Sequence, residues 1–341
     1  MLERAIEELS GGPHMRRLSS ALAFALTIVV ASWLSGCGFV ASERGSFDCD
    51  LIVIGSMRLD LASGSGAVRI SPGPADKVHI HGEVRASGYS NDDARRRLDE
   101  IIGHPPVDQS GNTIRVGKER WHLRNVSIEY MIDVPPDTEV ESALGSGAQS
   151  IEGVRGPVRA SSGSGSVHVA QIREETQINA ASGSVEASDI RGEFRCNAAS
   201  GSIMVSRTQG DVRATAASGS IHITSPGGRV TAQTASGGVD IDGATSDVSA
   251  RSASGSVHVR GNPAANSLWE LHSVSGGVEV TVPLSAAFQF SGSAVSGGVH
   301  TDMPIVVEEQ GGHSLRGRVG NGGARIEAST VSGSIHLKSA N

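Results

Sequence analysis

The chain has 341 residues and a formal net charge of −7 with no run of like charges, which gives no reason to expect nucleic acid or an anionic membrane surface as a partner. Its length allows one large domain or two small ones. Aromatic residues make up only 3% of the chain, too few to line a conventional sugar-stacking cleft or an enclosed apolar pocket, so a compact enzyme is disfavoured.

An export signal is predicted at the N-terminus. Two arginines after Met15 precede an apolar run at 18–34, which is short for a comfortable membrane span. The sequence LSGC at 34–37 resembles the bacterial lipobox, and this resemblance implies that Cys37 receives a diacylglyceryl group and becomes the mature N-terminus. We therefore expect a lipoprotein signal peptide over residues 1–36, with an uncleaved membrane helix as the alternative.

The segments on either side of this signal carry two further expectations. Three glutamates lie among the fourteen residues before Met15 and offset the basic charge that a signal peptide has at its start, so translation from Met15 is favoured over an unusual leader. Residues 37–47 are predicted to be a short linker, which would hold the folded part close to its membrane.

Residues 48–135 are predicted to hold short strands and one helix. The segment NDDARRRLDEIIG at 91–103 has a capping residue at Ser90 or Asn91, apolar side chains at Leu98, Ile101 and Ile102, and a stop at Gly103. We interpret the region as irregular first coils of a repeat, with the helix covering an open end.

A Ser-Gly pair then recurs along most of the chain and is its dominant feature. Seven pairs follow one another at a constant spacing of eighteen residues, and the later pairs are twenty-one, twenty-one and thirty-six residues apart. The last gap is interpreted as two periods with one pair missing. The serines are Ser146, Ser164, Ser182, Ser200, Ser218, Ser236, Ser254, Ser275, Ser296 and Ser332.

Apolar residues alternate on both sides of each pair, which predicts two short strands per period. Glycines at the Ser-Gly corner, and again eight residues before it, as at Gly192 and Gly210, are expected to supply the positive φ of two tight turns. Cys196 falls in an inward row of small residues, so it is predicted to be a buried thiol rather than half of a disulfide with Cys49.

Such a unit buries its apolar rows only by stacking on further copies at about 4.8 Å per coil. The predicted fold is all-β: a single-stranded β-solenoid, parallel β-helix-like, with coils of about 18 residues and one short inserted helix. It would occupy residues 48–341, with irregular coils and a cap over 48–135, regular coils over 136–261, and C-terminal coils and a cap over 262–341. The predicted corner residues are Ser164, Gly165, Ser182, Gly183, Ser200, Gly201, Ser218, Gly219, Ser236, Gly237, Ser254 and Gly255.

Three features together resemble the bacterial putative-adhesin β-solenoid family, a domain of unknown function. They are MIDVP at 131–135 leading into DTEV at 137–140, the repeated ASGS units followed by alternating apolar residues, and the closing pattern at 322–335 that ends in TVSGSI. The similarity covers about residues 48–341. It implies the solenoid fold and an adhesive role, and it brings no catalytic or binding residues with it.

Motifs that carry chemistry are absent from the sequence: there is no nucleophile elbow, zinc-binding helix or phosphate loop. Calcium is not expected, because the coils lack the regular aspartates of a calcium-binding roll. An outward row four residues after each corner serine mixes histidine and carboxylates. Weak transition-metal binding through this row competes with the simpler interpretation of favourable neighbouring charges. Its candidate ligands are His168, His222, Asp240 and His258.

The function predicted from the sequence is that of a non-enzymatic, lipid-anchored cell-envelope protein, an adhesin or binding scaffold. A self-assembling structural protein is the alternative and a polysaccharide-active enzyme the third candidate. Two exposed arginines, Arg213 and Arg251, share no obvious acidic cluster that would favour cleavage. The expected partners are the membrane, through the lipid on Cys37, and a glycan, an envelope protein or a second copy; no cofactor or nucleic acid is expected. Gly38 after the lipidated cysteine favours the outer membrane.

Overall fold

A computed structural model describes residues 41–117 and 125–340, and in these stretches the chain forms 29 strands and one helix. The strands make two long sheets that enclose a narrow apolar core, one of 14 strands (the A sheet) and one of 15 (the B sheet). The predicted all-β solenoid is confirmed.

Each regular coil places one strand in each sheet, and equivalent residues pair in parallel with an offset of eighteen. In one coil Phe194 and Cys196 from the B sheet meet Ile203 and Val205 from the A sheet, and all four are buried. The B-sheet strands are β8 Glu139–Ser146, β10 Val158–Ser164, β12 Thr176–Ser182, β14 Phe194–Ser200, β16 Val212–Ser218, β18 Val230–Ser236, β20 Val248–Ser254 and β22 Leu268–Ser275. The A-sheet strands are β9 Gln149–Glu152, β11 Val167–Ala170, β13 Val185–Ile190, β15 Ile203–Thr208, β17 Ile221–Pro226, β19 Val239–Ala244, β21 Val257–Gly261 and β23 Val278–Pro283.

The two turns of a coil use glycine in different ways. At the Ser-Gly corner glycine has a positive φ, for example +142° at Gly219, as predicted. At the second turn the prediction was wrong. The left-handed position lies three residues earlier and is held by non-glycine residues such as Asp189 and Arg207 in four coils and by Gly153 and Gly243 in two, whereas Gly210 has an ordinary φ. Gly210 lies so close to the preceding coil that a Cβ on this backbone would overlap Gly192, whereas other coils have Glu174 or Ser246 at this position.

The first coil is separated from the next by a long excursion that caps the N-terminal end. Strands β2 Arg58–Ser65 and β3 Val68–Pro72 pair directly with β8 and β9. The excursion between them extends the A sheet by antiparallel strands and the B sheet by a hairpin. Its elements, together with the first strand, are β1 Ala41–Ile52, β4 Lys77–Gly88, α1 Asn91–Gly103, β5 Val107–Ser110, β6 Thr113–Val116 and β7 Val126–Val134.

Helix α1 is the predicted one and packs on β1 and β4. The Asp93 backbone N–H donates to Ser90 Oγ at 3.2 Å, which confirms Ser90 as the N-cap. The helix lies so close to β1 that a methyl group on Gly45 would sit 2.7 Å from Ile102 Cδ1. Strand β1 begins at Ala41, so residues 41–47 form a strand where the sequence predicted a linker.

At the C-terminal end the order of coils in space differs from their order in the sequence. The last coil, β28 Ala324–Ser332 and β29 Ile335–Ala340, lies between the coil of β22 and β23 and the coil of β24 Phe288–Ser296 and β25 Val299–Thr301. Ser332 therefore pairs with both Ser275 and Ser296. The interpretation that one Ser-Gly pair is missing was wrong: the chain leaves a slot, forms an antiparallel hairpin of β26 Val306–Gln310 and β27 Ser314–Val319, and returns to fill the slot.

Candidate functional site

The residues immediately before the corner serines form an exposed apolar row along the eleven coil strands of the B sheet. Strict strand alternation ends at this point: the residue two before the serine faces inward, and the residue before the serine and the serine itself are both exposed, except that Ser65 is half-buried. No polar residue stands in the row, and its members grow from glycine through alanine to valine along the rod. In spatial order they are Gly64, Gly145, Gly163, Ala181, Ala199, Ala217, Ala235, Ala253, Val274, Val331 and Val295.

A polar row lies parallel to the apolar row, two residues earlier on each coil strand from β10 to the C-terminal end, whereas β2 and β8 have Ala62 and Ala143 there. Its side chains carry amides, a hydroxyl, a guanidinium and an imidazole, stacked at the strand spacing of about 4.8 Å. Its central members are Asn179, Asn197, Thr215, Gln233, Arg251 and His272. Asn197 Nδ2 donates to Asn179 Oδ1 at 3.1 Å, and His272 Nδ1 lies 2.8 Å from Ser329 Oγ.

Between these two rows lies an open trough with a volume of about 950 Å³ that crosses seven consecutive coils. Its floor is formed by small inward-facing residues from Ser162 to Ser252. Seven coils at about 4.8 Å each make the trough about 30 Å long. Its lining residues are Ser162, Asn179, Ala180, Ala181, Asn197, Ala198, Ala199, Thr215, Ala216, Ala217, Gln233, Thr234, Ala235, Arg251, Ser252, Ala253, His272 and Val274.

The trough is lined without any carboxylate, although the protein is acidic overall. Within residues 41–117 and 125–340, Arg251 in its wall and Arg213 beside it form no salt bridge. By contrast, Arg195 on the same sheet contacts Glu175 at 3.0 Å and Glu193 at 2.8 Å. The trough wall therefore offers one guanidinium group, Arg251, and the surface beside the wall offers a second, Arg213, to a ligand without first breaking an ion pair.

Hydroxyl groups on the trough floor hold the corners in place toward the C-terminal end. Thr234 Oγ1 donates to the Gly219 carbonyl at 3.1 Å, and Ser252 Oγ to the Gly237 carbonyl at 2.9 Å. Earlier coils have alanine at the same position, for example Ala216. These hydrogen bonds were not predicted from the sequence, although the change from alanine to serine or threonine along this row could have indicated them.

The chain matches a known family model. Residues 56–228 and 191–338 both match the Toastrack DUF4097 family, and together the two matches cover most of the chain. The chain belongs to this family. The resemblance seen in the sequence is thereby confirmed, and no curated protein matches the chain.

Three solved structures illustrate what this Toastrack chain is similar to. A putative cell adhesion protein from Clostridium sporogenes is 10% identical, with 87% of this chain and 100% of that chain covered and a TM-score of 0.23. A putative lipid binding protein from Parabacteroides distasonis is 13% identical, with 87% and 97% covered and a TM-score of 0.40. A putative adhesin from Bacteroides fragilis is 9% identical, with 86% and 97% covered and a TM-score of 0.31.

On the A sheet the predicted histidine and carboxylate row is present. His222, Asp240 and His258 lie on neighbouring strands, and His258 Nδ1 is 2.9 Å from Asp240 Oδ1. At the N-terminal end of the row His168 Nδ1 lies 3.5 Å from Glu186. Among the residues that the structure describes, no group of three or more His, Cys, Asp or Glu side chains is arranged to hold a metal ion.

The far end of this row departs from the predicted order because β29 intervenes. His336 lies between Glu279 and His300, and the centroids of the His336 and His300 imidazole rings are 5.1 Å apart. Glu279 is also bound by Lys338 Nζ at 2.9 Å. His336 stands four residues after Ser332 and so belongs to the row by its spacing, but the sequence order places it after His300 rather than between Glu279 and His300.

The cysteines follow the prediction where the structure describes them. Cys49 and Cys196 are both free. Cys196 is buried between Ile178 and Ala214 of the adjacent coils, and burial raises the pKa of its thiol to about 12. The predicted lipidation site Cys37 and the start at Met15 lie outside the described residues. No helix in the described stretches is long and apolar enough to cross a membrane.

A second charged cluster, on the N-terminal cap, was not anticipated from the sequence. His81 Nδ1 lies 2.7 Å from Asp48 Oδ1, and His79 Nδ1 lies 2.8 Å from Asp50 Oδ1 across the antiparallel pair of β1 and β4. Hydrogen bonds from His79, and then from Lys77, hold the pKa of Asp50 below its ordinary value. The cluster fastens β1 to the cap through surface contacts.

Proposed function

We propose that the protein is an exported, lipid-anchored envelope protein that binds a partner along the trough and performs no chemistry on it. The observation that carries this proposal is the trough itself, an open, carboxylate-free surface repeated over seven coils of a stacked scaffold. The names of the similar solved structures, which refer to adhesion and lipid binding, are consistent with it.

Two features favour binding over the alternative functions. Antiparallel strands extend the A sheet, by β1 and β4, at one end of the solenoid and the B sheet, by β26 and β27, at the other, which opposes end-to-end stacking of parallel coils into filaments. The trough lining contains no Asp or Glu, whereas glycosidic cleavage generally uses a pair of carboxylates.

Binding is tested by mixing purified mature protein with isolated cell envelopes and measuring the fraction retained. Ala217→Glu places a carboxylate in the trough, and we expect it to weaken retention. His222→Glu is the matched control, because it places the same carboxylate on the opposite face of the same coil and should leave retention unchanged. Equal retention of the two variants would contradict the proposal.

Anchoring is tested separately in cells with Cys37→Ala. We expect the native protein to fractionate with the outer membrane and the variant to be recovered in soluble or unprocessed form. Protease treatment of intact cells then assigns the face: digestion supports adhesion at the surface, and protection until the outer membrane is opened supports a periplasmic scaffold. Identical fractionation of the native protein and the variant would contradict lipid anchoring.

A further inference from the structure

The chemistry of the trough walls narrows the class of partner. One wall presents alanine methyl groups, and the other presents amide, hydroxyl and guanidinium groups at a regular spacing of about 4.8 Å. Such a surface suits a long, thin ligand that has apolar C–H faces on one side and hydrogen-bonding groups on the other.

The size of the trough argues against a second copy of the chain as the occupant. The strip between the rows is about 30 Å long and about 7 Å wide, since two residues of a strand span about 7 Å. Its area of about 200 Å² is far below the roughly 800 Å² that each partner of a stable dimer buries. Addition of a peptide strand is also disfavoured, because the coils on either side already pair with the trough strands.

Charge favours an acidic ligand over a neutral one. The lining has no aromatic side chain on which a neutral sugar could stack and no carboxylate that would repel an anion. Arg251 and Arg213 have no ion-pair partner in the described part of the chain, and a planar guanidinium matches a carboxylate in two parallel hydrogen bonds. They lie two coils apart on the same face, so a ligand that follows the trough can reach both.

We infer that the trough binds a linear acidic polysaccharide, whose acidic groups pair with Arg251 and Arg213 while its sugar rings lie on the alanine methyl groups. This inference rests on the proposed function and names the partner class for the same site. The small number of unpaired cations and the net charge of −7 disfavour nucleic acid as an alternative polyanion.

The test measures binding of the mature protein to linear oligogalacturonate, to a neutral dextran oligomer of similar length and to single-stranded DNA, at low and at raised salt. We expect oligogalacturonate to bind best and its affinity to fall with salt. Arg251→Gln and Arg213→Gln should each weaken its binding about tenfold. Arg260→Gln is the matched control, because it removes an arginine from the A sheet, on the opposite face. Arg260 is exposed and has no salt bridge within the described stretches, so its loss should leave binding unchanged.

Three outcomes would overturn the inference. They are equal losses in Arg251→Gln and Arg260→Gln, binding of dextran as tight as that of oligogalacturonate, and binding of single-stranded DNA as tight as either. Should oligogalacturonate fail to bind while Ala217→Glu still loses envelope retention and His222→Glu does not, the partner class is wrong and the proposed function stands. Circular dichroism of each variant checks that the fold is retained.

Discussion

At the scale of single residues, two glycines of one coil illustrate two separate constraints on the sequence. Gly219 has φ +142°, and a Cβ there would also overlap the carbonyl oxygen of Gly201. Gly210 has no such φ, yet a Cβ there would overlap the Gly192 carbonyl oxygen. Close coil-to-coil approach is therefore a second reason for glycine, although other coils have Glu174 and Ser246 at the position of Gly210.

Substitution by alanine at either glycine should destabilise the protein by about 1–3 kcal/mol, because each added Cβ has no room to relax. Gly64→Ala is the control, since a Cβ there has nothing within 4 Å, and it should change the free energy of unfolding by less than about 0.5 kcal/mol. Urea denaturation of the three variants measures the difference. Gly210→Ala matching Gly64→Ala in stability would show that the second turn accepts a side chain.

At the scale of the coil, carboxylates tie neighbouring turns together. Asp247 Oδ1 accepts the Leu268 backbone N–H of the next coil at 3.0 Å, and Asp247 Oδ2 accepts from Arg229 Nη2 of the previous coil at 2.9 Å. The backbone hydrogen bond from Leu268, followed by the bond from Arg229, lowers the pKa of Asp247. Asp189 and Arg207 form a similar tie between adjacent second turns, and Arg207 lowers the pKa of Asp189.

The lowered pKa of Asp247 determines how the free energy of unfolding changes with pH. The unfolded chain has an aspartate pKa of about 3.9, so the stabilisation from Asp247 is fully present above that pH and is lost as pH falls through its lower folded pKa. Asp247→Asn should reduce stability at neutral pH and flatten the acid limb of a plot of unfolding free energy against pH. Asp242→Asn, at an exposed position, is the control and should leave the plot unchanged. An unaltered acid limb in Asp247→Asn would rule out this tie.

The regular coils were predictable from sequence because each inward position repeats its residue type every eighteen residues. Phe194 and Val212 occupy one such row, and they pair in the structure as predicted. The trough was less predictable, although each of its two rows is visible in the sequence. The trough is concave because the side chain of Ala216 faces inward while those of both Ala217 and Ser218 face outward. A period-two pattern does not describe that arrangement.

At the scale of the whole molecule, the C-terminal coil determines how the solenoid ends. The spacing of Ser332 from Ser296 gives the register of β28 but not its neighbours, because every coil presents the same corner to either side. The order β22, β28, β24 arises from the hairpin of β26 and β27, which pairs antiparallel with β24 and turns the chain back. Sequence periodicity alone could not separate this arrangement from a simple succession of coils.

Truncation after residue 323 removes β28 and β29 and leaves an empty slot between two coils. We expect the coil of β24 and β25 to lose its packing, and the newly exposed edges of β22 and β23 to promote association. The coils from β8 to β20 keep their neighbours and should stay folded. Hydrogen exchange should show lost protection over 288–319 with retained protection over 158–254. Unchanged protection over 288–319 would contradict the inserted position of the last coil.

The measurement that tests the binding face most directly is cysteine protection on the intact scaffold. In a Cys37→Ser, Cys49→Ser background, where the remaining Cys196 is buried, Ala217→Cys and His222→Cys each present one accessible thiol on opposite faces of a single coil. Maleimide labelling rates are compared with and without isolated envelopes. The trough account predicts that envelopes slow labelling at 217 several-fold and leave 222 unchanged. Equal protection of both positions, or of neither, would contradict it.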